Sequence, residues 1–161
     1  MTTALELAPP LQISTWLNTP APISLQDLRG RVVLLHAFQM LCPGCVMHSV
    51  PQISQVRQLF PDEALTVIGV HTVFEHHAVM SVDALRVFVH EYQLTYPIGV
   101  DQPSPHDNIP LTMQAYQLRG TPSLMLIDRA GTLRVSHFGR VEDLQLGALL
   151  GQLLAEPSPE L

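Results

Sequence analysis

The chain has 161 residues, 47% of them hydrophobic, and carries a net charge of −6 from 14 acidic and eight basic side chains. That length suits one domain that can bury a core without staples, and the composition leaves no tract polar enough for extended disorder. All the basic residues are arginine, so nothing in the sequence offers a nucleic acid or an anionic membrane an electrostatic footprint.

The first ten residues hold neither a basic n-region nor an apolar h-region, and no apolar run reaches the roughly 18 residues needed to span a bilayer. A cytoplasmic location without membrane contact is therefore expected. Pro9-Pro10 closes what reads as a flexible tail over 1–10. The domain is expected over 11–154, with a second flexible tail over 155–161.

Leu11 to Trp16 has the pattern of a short strand. A Gly30 turn signal leads into Val32-Val-Leu-Leu-His-Ala-Phe, a nearly continuous apolar run typical of a strand buried on both faces. The dithiol Cys42-Pro43-Gly44-Cys45 follows directly. A helix is expected from Pro43 to Leu59, with Val46, Val50, Ile53 and Val56 on one side and a kink at Pro51. Leu65–His71 reads as a second buried strand. Ser81 caps a helix whose apolar positions are Val82, Leu85, Val89 and Tyr92. Tyr96–Asp101 gives a shorter strand, 102–110 a proline-rich loop and 112–117 a short helix. Ser123–Asp128, a turn at Arg129-Ala-Gly and the alternating Thr132–Phe138 make an antiparallel hairpin. Glu142–Leu154 is a final leucine-rich helix, and its Gly147 and Gly151 suit close packing on the sheet or on a second subunit. The order predicts an α/β domain around a mixed sheet.

The two cysteines are the only ones in the chain, and a bond between them would close too small a loop to stabilise the fold by chain entropy. Such a pair points to redox work or metal binding. At a strand-to-helix junction, unpaired N–H groups and the helix dipole favour a thiolate on Cys42, the expected nucleophile. Cys45, one turn on and better shielded, suits the resolving thiol. Cys42, Cys45 and His48 also have metal-like spacing, but a closed zinc site wants four ligands and there is no second cysteine pair. Gly120-Thr121-Pro122-Ser123, just before a strand, is the second signal, since proline opens a strand mainly at an edge, a bulge or a cis turn.

Cys-Pro-Gly-Cys after an apolar strand, followed some eighty residues later by Gly120-Thr-Pro-Ser-Leu-Met-Leu-Ile-Asp, resembles the thioredoxin superfamily. Within it the chain is similar to the TlpA-like and redoxin branch, also labelled AhpC/TSA. The features are Leu25-Gln-Asp-Leu-Arg-Gly-Arg-Val-Val, an inserted strand and helix over 64–92, and Tyr96-Pro-Ile-Gly-Val-Asp. The resemblance implies a thioredoxin-like fold with an N-terminal strand extension and the inserted strand-helix unit. It implies a cis Pro122 beside the dithiol and a Thr121 backbone offered to bound peptide, with Leu41 in the substrate-contacting position where the family usually has Trp. His36 occupies the place of a buried Asp, and Glu75 is the nearest match to a glutamate near the dithiol. Both are candidate proton relays. The expected activity is thiol-disulfide exchange of reductase or isomerase type, on a protein or small-molecule disulfide, with an external thiol reductant and no cofactor. Dimerisation is open. The alternatives are a thiol peroxidase or a zinc-binding, non-catalytic module. The first is disfavoured by Leu35 and Gln39, which stand where typical peroxiredoxins carry Pro and Thr.

Overall fold

A computed structural model describes residues 6–159. Its strands are β1 (Ile13–Leu17), β2 (Val32–Phe38), β3 (Leu65–His71), β4 (Ile98–Asp101), β5 (Ser123–Ile127) and β6 (Leu133–Phe138). Its helices are α1 (Val50–Leu59), α2 (Val82–Glu91), α3 (Leu111–Ala115) and α4 (Asp143–Ala155). The six strands form one mixed sheet in the order β1-β4-β3-β2-β5-β6. β2, β3 and β4 run parallel, while β1, β5 and β6 pair antiparallel to their neighbours. The apolar runs of β2 and β3 are explained by this order, because both strands are interior and buried at every residue.

Successive side chains of β2 feed two cores. Val32, Leu34 and Phe38 meet Val50, Ile53 and Val56 of α1, Leu85 and Val89 of α2, and Leu146, Leu150 and Leu153 of α4. Val33, Leu35 and Ala37 meet Tyr116, Met125 and Ile127, under Leu11, Trp16, Leu25 and Leu28. Ser81 caps α2 as expected, its Oγ accepting from the Ala84 N–H at 3.2 Å.

Four expectations change. Pro51 does not kink a continuous α-helix. The segment Cys45–Ser49 is a π-turn leading into α1, with Pro51 in the first turn. The Val50 N–H reaches back five residues to the Cys45 carbonyl, so the coil is already widened where Pro51 has no N–H to give. The tail expected over 1–10 is tied down from Glu6: Leu7 bridges to Thr132, the Ala8 N–H donates to Gly131, and the Tyr116 hydroxyl donates to the Pro9 carbonyl at 2.7 Å. Residues 1–5 and 160–161 lie outside the described residues. At the other end Glu156 is fixed by Arg134, which donates to both carboxylate oxygens at 2.8 and 2.9 Å, and by Arg129, which donates to its carbonyl. On α4, Gly147 and Gly151 face open space rather than the sheet.

Asp101 locks the C-terminal ends of β3 and β4 to α3. Its carboxylate accepts from the Thr112 N–H at 2.7 Å, the Met113 N–H at 3.0 Å and the Thr72 hydroxyl at 2.9 Å. Asp101→Ala strands three buried donors and is expected to cost about 3 kcal/mol, read as a lower urea midpoint with an unchanged slope.

Candidate active site

The site lies at one edge of the sheet, where β2 ends, β5 begins and the π-turn departs. The Cys42 N–H donates to the Gln39 carbonyl at 3.1 Å, and the Cys42 carbonyl accepts from the Val46 N–H at 3.0 Å, so the dithiol is part of the helix start. Cys42 is half-buried and Cys45 fully buried. Their sulfurs stand 2.6 Å apart, within easy reach of a bond near 2.05 Å. Cys42 Sγ accepts from the Cys45 N–H at 3.3 Å and approaches the Thr121 carbonyl at 3.5 Å. The Thr121–Pro122 peptide is cis, and a Cβ on Gly44 would stand 3.5 Å from Pro122 Cδ, so the proline ring covers the dithiol loop.

The two thiols differ in environment. Burial, with the neighbouring Cys42, pushes the Cys45 thiol up to about 12, against smaller opposing effects from the Gln39 backbone and the Thr121 side chain. The apolar surface around the pair is split. Met40 is buried, whereas Leu41 is 54% and Met47 68% exposed.

The candidate relays do not touch the sulfurs by hydrogen bonds. His36 is buried, stacks on Phe38 and holds Ser49 Oγ with Nε2 at 2.9 Å. Ser49 in turn approaches the Cys45 carbonyl at 3.2 Å, so His36 reaches Cys45 through its backbone. Its Nδ1 has no protein partner among the described residues, and burial lowers its pKa to about 3. His36 and Ser49 also line a cavity of about 180 Å³ between the π-turn, Pro122 and the start of α4. Glu75 is exposed and contacts Gln39 Nε2 at 3.5 Å.

Gln39 was legible only as a residue in the wrong place for a peroxidase. It is buried, and its amide spans the site: Nε2 points to Glu75 and, at 3.4 Å, to Thr121 Oγ1, while Oε1 accepts from the Phe74 N–H at 3.3 Å. His71 was missed as well. Its Nε2 accepts from the Met40 N–H at 3.2 Å and fixes the approach to Cys42, with its pKa lowered to about 4 by burial. A buried histidine at the end of a central strand was the only available signal. Among the described residues no three His, Cys, Asp or Glu side chains are disposed to hold a metal, so Cys42, Cys45 and His48 do not converge with a further ligand.

A CxxC at a strand-to-helix junction, faced by a cis proline that opens an antiparallel strand, defines a thioredoxin-type redoxin site. The chain belongs to the AhpC/TSA family, whose profile it matches over residues 6–136. It superimposes on the thioredoxin-like superfamily protein SPOA0173 with a TM-score of 0.94 at 53% identity, covering 97% of this chain and 100% of that one. A thiol-disulfide isomerase from Corynebacterium glutamicum matches with a TM-score of 0.89 at 47% identity, over 93% of this chain and 98% of that one. Protein DipZ of Mycobacterium tuberculosis is 35% identical over 156 residues, 94% of this chain but 21% of its own length. The chain thus spans about a fifth of that relative.

Two measurements follow from this geometry. In the reduced native protein, iodoacetamide at pH 8 is expected to label Cys42 and spare Cys45 until the chain is unfolded, read by peptide mass spectrometry. Secondly, the folded-state value of His36, about 3, lies below the ordinary 6.5, so the unfolded chain takes up this proton first. Stability supplied by neutral His36 is complete above pH 6.5 and declines as pH falls toward 3. His36→Leu is expected to flatten the decline by about one proton, roughly 1.4 kcal/mol per pH unit, in urea titrations between pH 6 and 4.

Proposed function

We propose that the protein is a thiol-disulfide oxidoreductase of reductase or isomerase type, with Cys42 as nucleophile and Cys45 as resolving thiol. The observation that carries this reading is the asymmetry of the pair. Cys42 is the half-exposed sulfur, receives a backbone N–H at the helix start and stands beside the cis-proline loop, while Cys45 lies buried behind it. The similarity to the Corynebacterium glutamicum isomerase supports the same class.

In the reaction as we read it, the Cys42 thiolate attacks one sulfur of a substrate disulfide. The S–S bond breaks, a mixed disulfide forms and one substrate thiolate departs. Cys45 then attacks Cys42 Sγ, closing the protein disulfide and releasing the second thiol. The substrate gains two electrons and two protons, the protein dithiol loses them, and an external thiol reductant restores it. Burial still holds the Cys45 thiol up in the mixed disulfide, where Cys42 no longer carries a charge, and Cys45 must lose its proton in the resolving step. The departing thiolate, with an ordinary thiol pKa near 8.5, is formed at the site where that proton is released and accepts it. Gln39 and Thr121 favour the charged sulfur that results. Because His36 and Glu75 reach the dithiol only through Ser49 and Gln39, we assign them positioning roles rather than proton transfer.

Cys45→Ser is expected to accumulate a mixed disulfide between Cys42 and a peptide disulfide substrate, visible as a mass increment, and Cys42→Ser to lose turnover by at least about a thousandfold. Exchange that survives in Cys42→Ser would overturn the assignment. Rapid peroxide consumption at low peroxide, with a thiol donor, would favour a peroxidase instead.

A further inference from the structure

Four features stand in a row along the edge of the sheet that carries the dithiol. Glu75 follows β3, Cys42 follows β2, Thr121 precedes β5 and Phe138 ends β6, in the same order as the strands. Neighbouring strands are 4.7–4.9 Å apart, so the ends of β3 and β6, from whose side the four features project, are about 14 Å apart, the span of about four residues of extended chain.

The two ends carry opposite charge. Phe138 is 49% exposed and its ring lies on the backbone of Gly120, where a Cβ would stand 2.9 Å from Phe138 Cε2. The guanidinium of Arg119 sits over that ring, 5.8 Å from its centroid. Arg119 is exposed and forms no ion pair among the described residues, whereas the other two exposed arginines, Arg86 and Arg140, do. At the other end Glu75 is likewise exposed without an ion pair, held toward Thr121 through Gln39. The missing tryptophan before Cys42 is thus offset by an aromatic on the opposite side of Thr121, and that aromatic brings a cation with it.

We propose that this edge selects polypeptide disulfides by charge order: an acidic side chain next to an apolar one over Phe138 and Arg119, and a basic side chain at Glu75, on opposite sides of the attacked cysteine. This rests on the oxidoreductase reading and names its substrate class. Charges on the rim of a site act mainly on encounter and register, so the preference belongs in KM and weakens with salt.

The test uses four short peptides, each with one cysteine joined by a disulfide to 2-mercaptoethanol. Two residues to either side they carry Glu and Lys, Lys and Glu, Glu twice or Lys twice. Rates are normalised to the reduction of neutral 2-hydroxyethyl disulfide by the same variant. One mixed-charge peptide is expected to exceed both like-charged peptides about fivefold in kcat/KM at low ionic strength, through KM, with the advantage lost in about 0.5 M salt. Arg119→Glu is expected to transfer the preference to the peptide in which Lys replaces the favoured Glu. Gly120→Val, which displaces the Phe138 ring, is expected to reduce it. Equal turnover of the four peptides, or an order unchanged in Arg119→Glu, would sink the charge-order proposal while leaving exchange chemistry intact. Failure to reduce the neutral disulfide would remove the oxidoreductase reading and this proposal with it.

Discussion

Strand β2 is buried along its whole length, paired on one side with β3 and on the other with β5. Its register cannot slip by one residue without turning Leu34 and Phe38 out of one core and Leu35 out of the other. That constraint fixes where the strand stops, and hence where Gln39, Met40 and the dithiol emerge. β5 runs antiparallel along the same strand, so its first residues, with Thr121 and Pro122 before them, arrive at the same edge. The reactive sulfur and the proline loop therefore meet because both hang from one rigid ladder, and no flexible segment has to bring them together.

Behind the sulfur the chain solves a second problem, that of Pro51. A straight α-helix through this position would lack one N–H and crowd the carbonyl of Met47. The π-turn over Cys45–Ser49 widens the coil one turn earlier. The extra residue brings Ser49 over the Cys45 carbonyl and under His36. A neutral histidine here supplies hydrogen bonding without placing a charge beneath a thiol that is itself held protonated by burial. Two buried titratable groups thus share one wall without opposing each other.

Much of this was legible in the sequence. The apolar runs of β2 and β3, the serine cap of α2, the hairpin and the Cys42–Cys45 and Thr121–Pro122 pair all write their signals within a few residues. Features made by distant segments were not legible. Nothing local to Gln39 indicates that its amide will span Phe74, Glu75 and Thr121, and nothing near Pro9 predicts a partner in Tyr116. Pro51 announces a disturbance but not its form, because a kink and a π-turn both make room for the ring and the missing N–H. Phe138 read as one residue of an alternating strand, and only the bare backbone of Gly120 beneath its ring sets it apart.

Helix α4 covers the cavity beside His36 with its first turn and grips the sheet through Leu146, Leu150 and Leu153. Gly147 and Gly151, in open space, lower its intrinsic helical tendency, so the packing of these leucines carries more of its stability. Such an element is expected to open ahead of the six-stranded ladder, its amides exchanging with solvent deuterium sooner than those of β2 or β3. Because Asp143 lines the cavity beside His36, such an opening would widen that cavity's access to water.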